Sequence, residues 1–446
     1  MTSPRRFESD LPALLADMYV AGTPDYRDDL VWQTARVRQR PAWTFPERWL
    51  PVELVTTRVP TTRLPMRQLG VLALIAILLA ALLAVYIGSQ RAQLPPPFGV
   101  AANGVVAYST SGDIYVADTT SGVARAIVTG PDTDTEPRFS RDGTQIVFQR
   151  PARDSAQIGA TYLYVARSDG TGLTRLTPDP IKLIPSDVGD PYEFSPDGRS
   201  VVTTAEGNDF RPGILLAATD GSRMDWLDLR AVSDRVTTVT QATFRPPEGN
   251  EIVFVGTDNN AVNGGPGLYA IHRSTGSIRP IVELGPTEEL DLPAWSPDGS
   301  RLAYSMWDNT AEGLTVRTHV VNADGSNDRE LPLPPDAVIQ VGNAWSNDGT
   351  RLFVVRGYTD TWDGTRPVII PTDGSGPGVE IAYAGAIQAE CCYSWVWSPD
   401  DSMILGKPIG PGGAALQQVI IDVQAGTIRQ APWESTEDPA WQRVAR

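Results

Sequence analysis

Carboxylates are the side chains of this chain best spaced to do chemistry. Glu136 stands before Pro137, Asp190 before Pro191, Asp291 two residues before Pro293, and Asp438 before Pro439, each a few residues ahead of an aromatic. Oxygen ligands recurring at one position suit a hard cation such as Ca²⁺, and Asp132 and Asp134 would extend the set. Against this, acids at loop ends solvate the loops and discourage edge pairing, and the chain has no EF-hand or other dedicated calcium loop. Cys391 and Cys392 are adjacent and are the only cysteines. They could form a strained vicinal disulfide or remain two free thiols.

Other chemistries are poorly supplied. Only His272 and His319 occur, each isolated in a strand-like stretch, where a packed or surface role is the ordinary one. No Gly-x-Ser-x-Gly elbow is present, which disfavours Ser-His-Asp hydrolysis, and Cys or paired-His metal spacing is absent. On these grounds no catalytic residue, no enzyme activity and no organic cofactor is expected. The formal net charge of −16 argues against nucleic acid as a partner, because phosphate binding needs clustered Lys and Arg.

The acids gain meaning from the phrase that follows them. Leu292-Pro293-Ala294-Trp295-Ser296-Pro297-Asp298-Gly299 leads into the alternating run Arg301-Leu302-Ala303-Tyr304-Ser305, a strand, a tight turn and a second strand. Its aromatic anchor recurs at Phe139, Phe194, Phe244, Trp295, Trp345 and Trp397, at intervals of 55, 50, 51, 50 and 52 residues, and a terminal half-copy ends on Trp441. Hairpin turns of the Asp-Gly type, such as Ser168-Asp169-Gly170 and Ala323-Asp324-Gly325, also number seven from residue 101 onward. A period near 50 with about four short strands per unit indicates a propeller array.

The expected fold is therefore all-β: a seven-bladed β-propeller of four-stranded blades over residues 101–446. The last strand, at Trp441, would pair with the first, at Gly104-Val105-Val106-Ala107-Tyr108, and close the ring. Innermost strands line a propeller axis, so the acids ahead of each anchor would converge at one channel mouth. The Ser-Pro-Asp-Gly phrase after an aromatic resembles the WD40-like (PD40) repeat of the TolB propeller group. That resemblance implies the fold, and it leaves function open among binding proteins, gating domains and membrane-tethered sensors.

Upstream, Leu69 to Gly88 is a run of twenty residues without a charge, the length of a membrane-spanning helix. Arg58, Arg63 and Arg67 precede it and Arg91 alone follows, so the positive-inside rule places the N-terminus in the cytoplasm and the propeller outside. The expected organisation is a partly helical cytoplasmic segment (1–68), a transmembrane helix (69–88), a Pro-rich linker (89–100) and the extracytoplasmic propeller. The leading expectation is a membrane-anchored binding module for a protein, peptide or glycan. In the alternative, the layout is similar to membrane-bound anti-sigma factors, and residues 1–68 dock a cytoplasmic signalling protein, although that segment lacks the His and Cys of many such domains. The third reading is a metal-dependent propeller lactonase or lyase acting at the channel carboxylates.

Overall fold

The computed structural model describes residues 73–79 and 94–446, apart from short internal stretches of which 258–265 and 382–390 are the longest. The chain divides into two compact units, Met1–Arg91 and Ala92–Arg446. In the first, residues 73–79 are helical. Seven residues at about 1.5 Å rise cover roughly 10 Å, against a hydrocarbon core of about 30 Å. No helix among the described residues is long and apolar enough to cross a membrane. The expected transmembrane helix is therefore no part of the described fold, and residues 1–68 lie outside the described residues.

The second unit is built from antiparallel strands whose sequences alternate or run continuously apolar. Arg351–Gly357 and Pro212–Ala218 are buried along most of their length, as expected of strands packed on both faces. Cores lie between neighbouring sheets. Ala107, Ile114 and Val128 of one sheet pack on Ile146, Phe148 and Ala166 of the next. Val106 and Trp441 pack on Leu405 and Ile420.

The repeated turn is a small hydrogen-bond circuit. Ser296 Oγ donates to Asp298 Oδ1 at 2.5 Å and accepts from Arg301 N at 3.0 Å, and Ser300 N donates to the same Asp298 oxygen at 3.1 Å. The serine–aspartate contact recurs at Ser140–Asp142, Ser195–Asp197, Ser346–Asp348 and Ser398–Asp400. Four repeats also reach the next in one recurring way. Gln145, Arg245, Arg301 and Gln442 donate to the carbonyls of the turn glycines Gly198, Gly299, Gly349 and Gly143. Arg301 and Arg351 lie over the following anchors, Trp345 and Trp397, at 5.0 and 4.8 Å from the ring centroids.

Ring closure follows the expected pairing. Ala102–Thr110 pairs antiparallel with Ala440–Val444, with Val106 opposite Trp441. The count of seven separate four-stranded blades is corrected. The described strands form six hydrogen-bonded sheets: five of blade size, with four or five strands, and one of eight strands. In the eight-stranded sheet, Gly313–Asn322 carries only the two-residue outer strand Arg329–Glu330. Its Val316 pairs in parallel with Ile339 of the next repeat, supported by Val316 N to Val338 O at 3.1 Å. The repeat count registers hairpins, whereas sheets are delimited by hydrogen bonds between repeats, and here those bonds fuse two units.

Candidate functional site: the central cavity and its acid cluster

Ahead of the anchors, the inner strands share an irregularity. The register shifts between Thr135 and Arg138, Thr240 and Thr243, Asp291 and Ala294, Val341 and Ala344, and Tyr393 and Trp395. At these bulges Glu136, Gln241 and Ser394 have positive φ, at 58°, 54° and 32°, a region that non-glycine residues seldom occupy. A bulge re-aims the side chain it carries. Glu136 thus leaves the regular pleat at the position where the sequence pattern placed an acid.

Two of the predicted acids meet. Glu136 faces Asp438, which stands just ahead of the strand Ala440–Val444, and both are met by cations: Arg138, two residues on along the same strand as Glu136, and Lys407 of the strand Met403–Gly410. Arg138 Nη2 is 3.4 Å from Asp438 Oδ2 and 3.6 Å from Glu136 Oε2, and Lys407 Nζ is 3.3 Å from Asp438 Oδ1. The Glu136 side chain is only 19% exposed. Burial, then repulsion by Asp438, pushes its carboxyl up to about 7 from 4.5, and Arg138 and Lys407 offset only part of this. Two carboxylates matched by two cations form an ion-pair cluster. That donor set fits a divalent cation poorly, because Arg138 and Lys407 already supply the positive charge.

Asp291 is half-buried on Glu288–Trp295, opposite Ser305. Asp190 lies outside the described residues, and no group of three or more His, Cys, Asp or Glu among the described residues could hold a metal. Asp134 is engaged by Arg150 through two bonds of 2.6 and 2.9 Å, and Asp132 pairs with the same arginine at 3.3 Å. Cys391 and Cys392 open the strand Cys391–Trp397, but their side chains lie outside the described residues. His319 packs at 5.2 Å from Tyr304, and both contact Asp328. His272 is near the surface beside Ser274.

Arg138 links the cluster to a neighbouring cavity. Arg138, Trp441 and Arg443 border a cavity of about 210 Å³. It shares Arg141, Glu193 and Asn347 with a cavity of about 280 Å³ walled by Trp295, Trp345 and Trp397. Polar groups knit this rim together. Glu193 accepts from Arg141 Nη2 at 3.0 Å and Thr243 Oγ1 at 2.7 Å, and Arg443 Nη1 donates to Asn347 Oδ1 at 2.6 Å. Residues 94–100, read from sequence as a linker, belong to the propeller unit and reach this mouth, where Phe98 lines the larger cavity.

Sequence reasoning found the two acids and overlooked their company. Lys407 carried a signal, as one of only two lysines in the chain, and Phe98 carried another, as the aromatic after three prolines. Arg141, Asn347 and Arg443 carried none, because their roles depend on neighbours distant in sequence.

No family model and no curated protein sequence matches the chain. Solved structures do. An oligogalacturonate lyase solved with manganese is 15% identical, with TM-score 0.54, over 74% of this chain and 85% of that one. A puromycin hydrolase is 17% identical, with TM-score 0.51, over 76% of this chain and 54% of that one, so this chain spans about half its length. TolB from Acinetobacter baumannii is 14% identical over 76% of this chain and 82% of that one, at TM-score 0.43, too loose a likeness to support inference. At these identities the shared property is the fold, and the chain is an all-β propeller protein. The expectation that it is not an enzyme is overturned as a reading from sequence, because similar structures include a lyase and a hydrolase on this architecture. The fold itself assigns no activity.

Proposed function

We propose that the propeller is a binding module that takes a short polymeric ligand, a peptide or glycan, into the mouth of its central cavity. The observation that carries this reading is the cavity of about 280 Å³ walled by the tryptophans of three successive repeats and rimmed by Arg141, Glu193 and Asn347. Its size approaches that of ordinary ligand pockets, about 300–1,000 Å³, which combine apolar walls with a few placed polar groups. Aromatic faces supply contact area at low entropy cost, and an arginine beside them is a frequent hot spot. Arg141 is the residue to test, because its side chain is 39% exposed and its removal should spare the fold. Arrays of peptides and oligosaccharides probed with the full chain should yield ligands whose binding falls about threefold or more in Arg141→Gln. Arrays that retain nothing, or binding indifferent to Arg141, would remove this reading.

For location we propose membrane attachment with the propeller outside the cytoplasm. The support is sequence alone: the uncharged run at residues 69–88 and the arginines preceding it. A reporter enzyme active only outside the cytoplasm, fused after Arg446, should be active; activity confined to a cytoplasmic reporter would reverse the orientation.

A further inference from the structure

Phe98 and Gly99, from the proline-rich segment that precedes the first strand, already line the larger cavity. Building on the binding reading above, we propose that the mouth recognises a proline-rich peptide carrying an aromatic followed by glycine, and that residues 95–99 occupy this site in cis. Phe98 lies under the Arg141 guanidinium, 5.1 Å from it to the ring centroid, and Glu193 holds that arginine at 3.0 Å. Arg443, buried in the closing strand at 7% exposure, donates from Nη2 to Pro96 O at 3.1 Å and to Gly99 O. Burial, then the neighbouring Arg141 charge, lowers the Arg443 guanidinium to about 10. The two peptide carbonyls therefore satisfy a cation that the protein interior disfavours.

The chemistry of the segment matches these partners. Proline has no N–H, so residues 95–97 present carbonyl acceptors and no backbone donors, while a guanidinium is a donor only. Consecutive prolines favour the extended polyproline conformation, so little ordering entropy is lost on docking. Gly99 has φ +82° with open space where a Cβ would sit, so its requirement is conformational: the chain turns there to enter Ala102–Thr110. Ala101 N then donates to Pro399 O at 2.8 Å and fastens the base of the segment. Phe98 is one wall of a cavity that extends on to Trp295, Trp345 and Trp397, leaving room for a longer peptide to displace it.

A tethered segment of this kind faces its site at an effective concentration on the order of millimolar, so a free peptide of micromolar affinity is held off until the segment leaves. The test uses the full chain and a fluorescein-labelled peptide, Leu-Pro-Pro-Pro-Phe-Gly-Val, followed by fluorescence anisotropy. Phe98→Ala should bind it at least about tenfold more tightly than the unsubstituted protein, whereas Phe98→Trp, which keeps the seat filled, should not. Adding Arg141→Gln to Phe98→Ala should weaken binding about threefold through loss of the cation over the ring. In the unsubstituted protein, millimolar unlabelled peptide should accelerate hydrogen exchange at the Ala101 amide. Equal affinities for Phe98→Ala and the unsubstituted protein, or unchanged exchange at Ala101, would overturn the proposal. If array ligands still bind in an Arg141-dependent way while this peptide does not, only the cis-peptide inference fails; if neither binds, the binding reading fails with it.

Discussion

Glu136 illustrates how burial and a like-charged neighbour set a titration. Its carboxyl titrates near 7 in the folded chain and near 4.5 in the unfolded one. Between those values the folded chain holds a proton that the unfolded chain has released, so this group's contribution is most favourable below about pH 4.5 and is lost as pH rises through 7. Glu136→Gln should therefore raise stability by about 3 kcal/mol at pH 8 and far less at pH 4.5, measured by urea unfolding at both. The same gain at both pH values would show that no proton is involved. The turn aspartates act in the opposite sense. Burial raises Asp197, Asp298, Asp348 and Asp400, but hydrogen bonds from serine hydroxyls and backbone amides outweigh it and lower all four. Their contribution is present above the ordinary aspartate range and is lost as pH falls through their lowered values.

At the scale of elements, the repeated turn joins hairpin to hairpin and repeat to repeat. Ser296 is fully buried and serves both as donor to Asp298 and acceptor from Arg301 N. Ser296→Ala should cost about 1–3 kcal/mol, because it leaves buried partners unsatisfied; a midpoint unchanged in urea would mean that water takes the hydroxyl's place. Two glycines separate local conformation from contact between repeats. Gly299 (φ +66°) sits so that an added Cβ would meet Pro246 O of the preceding repeat at 1.9 Å, whereas Gly426 (φ +63°) meets nothing within 4 Å. Gly426→Ala should cost only the backbone penalty, about 1–2 kcal/mol, and Gly299→Ala clearly more. Equal losses would show that the contact between repeats gives way without strain.

For the whole molecule, closure rests on the last short strand. Trp441 is 6% exposed and packs with Tyr108, Leu405 and Trp433, so Trp441→Ala should cost about 3–5 kcal/mol. A chain stopped before Ala440 would leave Ala102–Thr110 as an open edge able to pair with other chains. It should sediment as aggregate, and a soluble monomer with normal cooperativity would show that closure is dispensable. Much of this architecture was legible in the residues. The anchors and turns announced strands through period-2 alternation and Asp-Gly chemistry, and the half-copy at Trp441 announced its partner strand at Gly104-Val105-Val106-Ala107-Tyr108. Glu136 and Asp438 were legible as acids at one recurrent position, but Arg138 and Lys407, which change what those acids can do, were not.

By itself the sequence determined what acts within a few residues: which segments are strands, where hairpins turn, which aromatic anchors each repeat, and that the first and last strands share a pattern. Tertiary structure alone decided what depends on groups far apart in the chain. The bond joining Val316 and Ile339 fuses two repeats into one sheet, although neither residue departs from the strand pattern. Arg138 meets Asp438 across 300 residues, turning a supposed cation site into an ion-pair cluster. The segment at 95–99 reads as a spacer until Arg141, brought in by a turn, and Arg443, brought in by the closing strand, supply the cations its ring and carbonyls need. Local propensity follows from neighbouring side chains, but sheet boundaries, paired charges and docked segments follow from which surfaces remain unsatisfied once the chain has closed.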